Sequence, residues 1–155
     1  MNVDLMDRII IGSDHAGFNL KETIKQHLSD RGYTVIDVGT CDEGQVDYPD
    51  FGDKVAEKVS SGEFTRGILV CGSGVGMTIV ANKFPNIRAV LCLDEETARL
   101  SRLHNNTNIL VLAGRRTDAE KGKAITLVWL TTEFEGGRHQ RRLEKIRKIE
   151  SRICR

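Results

Sequence analysis

The four cysteines of this 155-residue chain, Cys41, Cys71, Cys92 and Cys154, form no C-x-x-C pair and share no regular spacing. That absence argues against a zinc site or a disulfide framework, and free thiols suit a reducing compartment. No H-x-H, H-E-x-x-H or carboxylate cluster appears either, so no sequence pattern offers a metal site. Long apolar runs are missing: nothing approaches the ~20 residues that span a bilayer, and Met1 to Arg8 carries no apolar signal segment. The expected location is the cytoplasm, with no membrane partner. An excess of one charge is missing too. Lys and Arg number 23 against 22 Asp and Glu, a net charge of +1, so the chain as a whole is no polyanion binder. What remains is ordinary for a soluble globular protein: 39% hydrophobic and 29% charged residues. The length suits one domain over residues 1–155.

Short apolar runs alternate with helical patterns. The runs that read as strands are Arg8 to Gly12, Tyr33 to Val38, Gly67 to Cys71, Ile87 to Cys92 and Asn108 to Leu112. Between them, Leu20, Ile24 and Leu28 recur at four-residue spacing, with Gly32 placed to stop that helix. Further helical patterns cover Phe51 to Ser61, the stretch through Ile79 to Lys83, Glu95 to Leu103 and Ala119 to Leu130. Alternation of this kind predicts an α/β fold: a three-layer αβα, Rossmann-like domain with a five-stranded parallel sheet. The expected strand order is 2-1-3-4-5, with an extra C-terminal helix from about Arg138 to Ile153.

In such sheets ligands bind beyond the carboxyl ends of the strands, where the order reverses. Here that is the crevice between strands one and three. Ser13-Asp14-His15 follows the first; Cys71 and Gly72-Ser73-Gly74-Val75-Gly76 follow the third. A carboxylate, an imidazole, a thiol and a glycine turn therefore converge. The turn can hold a phosphate or an oxyanion with backbone N–H groups. It is no Walker loop, lacking Gly-Lys-Ser/Thr, and a poor dinucleotide match, since no acid follows strand two at the usual distance. A bare strand-to-helix turn is the plain alternative. Cys71 alone would read as packing, but a thiol at a helix N-terminus is where a thiolate is stabilised. Cys41, Cys92 and Cys154 read as structural or incidental. Asp14 is equally a helix cap. His104, between the fourth helix and the fifth strand, would alone read as a solvated loop histidine.

Residues Arg138 to Arg155 hold eight Arg or Lys and two Glu. No aromatics interleave them, which argues against nucleic acid. Leu143, Ile146, Ile149 and Ile153 form an apolar stripe, with Arg138 and Arg142 on its side and Arg141 facing away. The expectation is that this stripe packs and that the two arginines clamp a phosphate.

These residues together resemble the B-type ribose-5-phosphate isomerase family, which includes allose-6-phosphate and galactose-6-phosphate isomerases. The match runs from Ile9 to about Arg152. It is carried by Gly12-Ser13-Asp14-His15-Ala16-Gly17, Asp47-Tyr48-Pro49, Cys71 through Gly76, Ala81-Asn82-Lys83, His104-Asn105-Asn106-Thr107-Asn108 and Glu135 through Arg142. The resemblance implies interconversion of ribose 5-phosphate and ribulose 5-phosphate through an enediolate, in the pentose phosphate pathway, without metal or other cofactor. It implies Cys71 as the base; members that use a glutamate further along have no counterpart here, because Gly74 to Thr78 contains no acid. Ser73 would support the thiolate or the substrate, and the amides of Gly72, Gly74 and Gly76 would hold the enediolate oxygen. His104 and Asp14 would open the sugar ring. His15, Arg115, Arg138 and Arg142 would take the phosphate, and Asn105 and Tyr48 would line the sugar. Nothing is implied for the variable loop from Thr40 to Val46.

Allose 6-phosphate and galactose 6-phosphate remain open as substrates. A dinucleotide-binding module is the alternative of another class, with Asp37 the nearest ribose ligand. One further expectation is geometric. Asp14, His15 and Cys71 belong at the carboxyl edge of the sheet and His104 at the amino edge, a strand length of roughly 17 Å away. A site using all four must be shared between subunits of a homodimer, or of a tetramer built from such dimers.

Overall fold

The computed structural model describes residues 8–153; Cys154 lies outside them. Its elements are β1 (Arg8–Ser13), a single 3-10 turn (His15–Gly17), α1 (Phe18–Ser29), β2 (Thr34–Asp37), α2 (Pro49–Ser60), β3 (Arg66–Cys71), α3 (Val75–Ala81), β4 (Ala89–Leu91), α4 (Glu95–Asn105), β5 (Ile109–Ala113), α5 (Ala119–Thr131) and α6 (Arg138–Ile153). Gly32 does end α1, at φ +87°, and the N–H of Tyr33 returns to the carbonyl of Leu28. Asp94 and Asp118 cap α4 and α5 by accepting from the N–H groups of Thr97 and Lys121.

The strands form one parallel sheet, and the alternation of side chains divides its core. Ile9, Ile11, Ile68, Val70, Leu110 and Leu112 pack beneath Leu20, Ile24, Ile125 and Trp129 of α1 and α5. Ile10, Leu69, Ile109 and Val111 face the other way, onto Val55, Val59 and Met77 of α2 and α3. Helices therefore cover both faces, as the unbroken apolar strands require.

The strand order is β2-β1-β3-β5-β4, which corrects the expected 2-1-3-4-5. The physical reason lies in the two strands themselves. β5 is apolar throughout and fully buried, which suits the interior of the sheet. β4 has three residues, all partly exposed, which suits an edge. The reversal point stays between β1 and β3, but β5 now lies directly beside β3, with Cys71 opposite Ala113.

Two other expectations change. His104 and Asn105 belong to the last turn of α4, not to a loop. Most of the apolar stripe of α6 is left uncovered by its own chain: Leu143 is half-buried, but Ile146, Ile149 and Ile153 are 50%, 49% and 71% exposed, and His139 is the helix's buried residue. Among the described residues no helix is long and apolar enough to cross a membrane.

Candidate active site

The loops that follow β1, β3 and β5 are tied together by their backbones. The N–H of Asp14 donates to Val70 O, that of Gly114 to Cys71 O and that of Arg115 to Gly72 O. They enclose a cleft of about 210 Å³ lined by Asp14, His15, Ala16, Tyr48, Cys71, Gly72, Ser73, Gly76 and Arg115. Adjacency of β5 to β3 is what delivers Arg115. In the expected order, β5 would have ended a further strand away, another ~4.8 Å from β3.

Cys71 ends β3 with 4% of its surface exposed. Its Sγ accepts the backbone N–H of Gly74 at 3.2 Å. Gly74 can aim that N–H because it sits at φ +78°, in the left-handed region. Ser73 Oγ accepts from Val75 N at 3.3 Å, so its hydroxyl also caps the start of α3. Tyr48 lies against Gly76 so closely that a Cβ there would sit 2.5 Å from the ring. The guanidinium of Arg115 lies over Gly72. Asp14 keeps its capping role, accepting from Gly17 N at 2.9 Å, and still faces the cleft. His15 Nδ1 lies 3.2 Å from both N and O of Val46, so the loop to which no role was attached holds this imidazole in place.

Cys92 is a contrast. Burial, with Asp94 nearby, pushes its thiol up to about 12. A thiol held protonated so firmly is packing, as its lack of a glycine turn suggested. Asp37, the acid a dinucleotide would need, is already committed: Lys21 Nζ reaches its Oδ2 at 2.5 Å and Lys25 Nζ at 2.8 Å.

The remaining predicted residues are elsewhere. His104, Asn105, Arg138 and Arg142 do not line the cleft. His104 precedes the amino end of β5, whereas Cys71 pairs with that strand's carboxyl end. Around His104 the fold has built something not anticipated. Its ring stacks on that of His139, with centroids 4.3 Å apart and planes 14° apart. Glu135 Oε2 lies 3.9 Å from His104 Nε2 and 3.6 Å from His139 Nε2. Burial, then the charges of His104 and Arg138, hold the His139 ring below the usual histidine range. Glu135 and His139 sit four residues apart, but nothing local in the sequence ties them to His104, 31 positions before Glu135. Arg138, Arg141 and Arg142 are all exposed.

Comparison with known proteins bears on this arrangement. A family model described as Ribose/Galactose Isomerase matches residues 9–146. Ribose-5-phosphate isomerase B of Escherichia coli is 49% identical over 147 residues, 95% of this chain and 99% of the relative. A structure of Clostridium thermocellum ribose-5-phosphate isomerase B superposes with a TM-score of 0.91 at 52% identity, covering 94% of this chain and 98% of that one. The Mycoplasma genitalium enzyme, solved with bound ribulose-5-phosphate, gives a TM-score of 0.89 at 42% identity, covering 93% of this chain and 96% of that one. A match that takes in every strand beside the cleft, at such identities over nearly the full length of each relative, shows that the chain belongs to the ribose/galactose isomerase family.

Proposed function

We infer that this chain interconverts ribose 5-phosphate and ribulose 5-phosphate, moving a proton between C2 and C1 through an enediolate. The observation that carries the reading is Cys71: a thiol at a strand end, accepting an amide N–H of a glycine turn, in a cleft that also holds Asp14, His15 and Arg115. A proton alpha to a carbonyl leaves only if a base is positioned and the developing oxyanion is held. Cys71 is the base. The amides of Gly72 and Gly76 receive the oxyanion, joined by that of Gly74 as its N–H turns from the Cys71 sulfur, and Ser73 steadies this turn through its hydroxyl. Asp14 assists ring opening, Tyr48 borders the sugar, and His15 and Arg115 meet the phosphate.

The cleft then needs a partner for Asp14 and more cationic groups for the phosphate. A second copy of the chain supplies them in this reading: His104 for ring opening, Asn105 beside the sugar, Arg138 and Arg142 at the phosphate. The uncovered stripe of Ile146, Ile149 and Ile153 supports it, since Arg142 shares that side of α6 and such a face is normally buried. The active unit is a homodimer with two equivalent sites.

Steady-state assays on ribose 5-phosphate, allose 6-phosphate and galactose 6-phosphate test the function. The highest kcat/KM is expected for ribose 5-phosphate. A higher value for either six-carbon sugar would reassign the substrate, and no turnover of any of the three would reject the reading.

A further inference from the structure

The group of ligating side chains around His104 lies apart from the Cys71 cleft and forms an arrangement of its own. His104 ends α4, Glu135 lies between α5 and α6, and His139 opens α6. Their ligand atoms all lie within 4.8 Å of one another. Two of the separations, 3.6 Å and 3.9 Å, approach the ~3.4 Å edge of a tetrahedron whose bonds are about 2.0–2.1 Å long. A second observation points to a ligand. His139 is 4% exposed, and its Nε2 is buried with no hydrogen-bond partner. Buried nitrogens are rarely left so unless something else binds them.

We propose that His104, Glu135 and His139 form a binding site for a borderline divalent cation, Zn²⁺ above all, and that its occupation withdraws His104 from ring opening. Two imidazoles and one carboxylate are a ligand set zinc accepts, with water in the fourth position. The stacked rings send their lone pairs side by side, so capture needs one of them to turn. His104, with 37% of its side chain exposed, can tilt toward Glu135, while His139 is held by its surroundings. Arg138 and Arg142 stand nearby and oppose a cation, and the single carboxylate offsets only part of that, so the site is weaker than a structural zinc site. The inhibitory half of the proposal rests on the catalytic reading of His104; the binding half does not.

The test titrates metal-free, full-length protein with ZnCl₂, against a chromophoric zinc indicator and in the isomerase assay. One zinc per chain is expected, with loss of turnover that EDTA reverses. Cys41 and Cys71 are rival ligands. Co²⁺ separates them, because thiolate ligation gives an intense near-ultraviolet charge-transfer band and an imidazole–carboxylate set does not. Glu135→Gln and, separately, His139→Asn should each weaken zinc binding by roughly tenfold or more, and Cys41→Ser should leave it unchanged. Glu135 is exposed, so that variant remains informative if His139→Asn does not fold. Absence of stoichiometric binding in the micromolar range, a thiolate band, or zinc affinity indifferent to Glu135→Gln would overturn the site. Zinc that binds, weakens in the variants and yet spares turnover upholds the site and removes His104 from the reaction.

Discussion

Removing the Cys71 thiol leaves the cleft's phosphate-facing groups, His15 and Arg115, where they are. Cys71→Ala is therefore expected to abolish isomerisation, by a factor on the order of 10²–10⁴ or more, while sugar-phosphate binding measured by calorimetry stays close to normal. Near-normal turnover in a folded variant would remove Cys71 as the base. Cys92→Ala should instead lower stability and leave kcat alone, since that thiol is buried and held protonated. A second residue-scale prediction concerns Asp37. Burial by itself would raise its carboxyl, but hydrogen bonds from Lys21, Lys25 and Gly39 outweigh that and hold it below 3.8. The folded value lies below the unfolded one, so its contribution is complete above the unfolded value and is lost as pH falls through the folded value. Asp37→Asn should cost about 2 kcal/mol at neutral pH, because Lys21 is only 1% exposed and loses one partner, keeping Glu22 and the Thr40 carbonyl. Urea unfolding of both proteins should show that gap narrowing below about pH 4; a gap independent of pH would contradict the assignment. At this scale the sequence was most informative where a residue acts with its chain neighbours. Cys71 and its glycine turn, and Asp14 with His15, could be read directly. The pairing of His104 with Glu135 and His139 could not, because it depends on where α6 returns.

Among the elements, α6 and β4 depart most from what was expected of them, and for opposite reasons. β4 looked like any other strand in the sequence, a run from Ile87 to Cys92, and only the structure shortens it to Ala89–Leu91; order among parallel strands depends on crossover packing, which leaves no local mark. For α6 the periodicity was right, but it did not say which surface the stripe covers. A stripe at helical spacing guarantees an apolar face without saying whether the surface beneath it belongs to the same chain. That ambiguity makes the arginines of this helix a sharp comparison. Arg142 lies on the side of the stripe and Arg141 about 100° around the helix, although both are exposed. Arg142→Ala should raise KM for the sugar phosphate by roughly tenfold or more, the loss of one charge-assisted pair, and Arg141→Ala should change it little. Equal KM values for the two variants would mean that the side of α6 carrying Ile146 and Ile149 does not meet the substrate.

On the proposed reading, the whole molecule supplies half a site at each of two places: the cleft at the carboxyl edge of the sheet, and His104 with the arginines of α6 beyond its amino edge. Mixing Cys71→Ala protein with His104→Ala protein, under conditions in which subunits exchange, should restore activity that neither shows alone. Heterodimers then hold one intact site of their two, so the expected recovery is about one quarter of wild-type activity for a random equal mixture. No recovery, with exchange verified by mass spectrometry, would place all the catalytic groups of each site within one chain. The strand order has a consequence for how such a chain is made. β3 has its β1 side paired early, but its other neighbour is β5, whose first residue, Ile109, is translated roughly 40 residues after Cys71. β4 is synthesised in between and pairs only with β5, so it has no place to dock when it leaves the ribosome. At about 5–20 residues per second, the open edge of β3 waits some seconds for its partner. During that interval the nascent chain presents an apolar strand edge with the Cys71 thiol at its end, and the arrival of one five-residue strand closes the edge, seats β4 and brings Arg115 to the cleft.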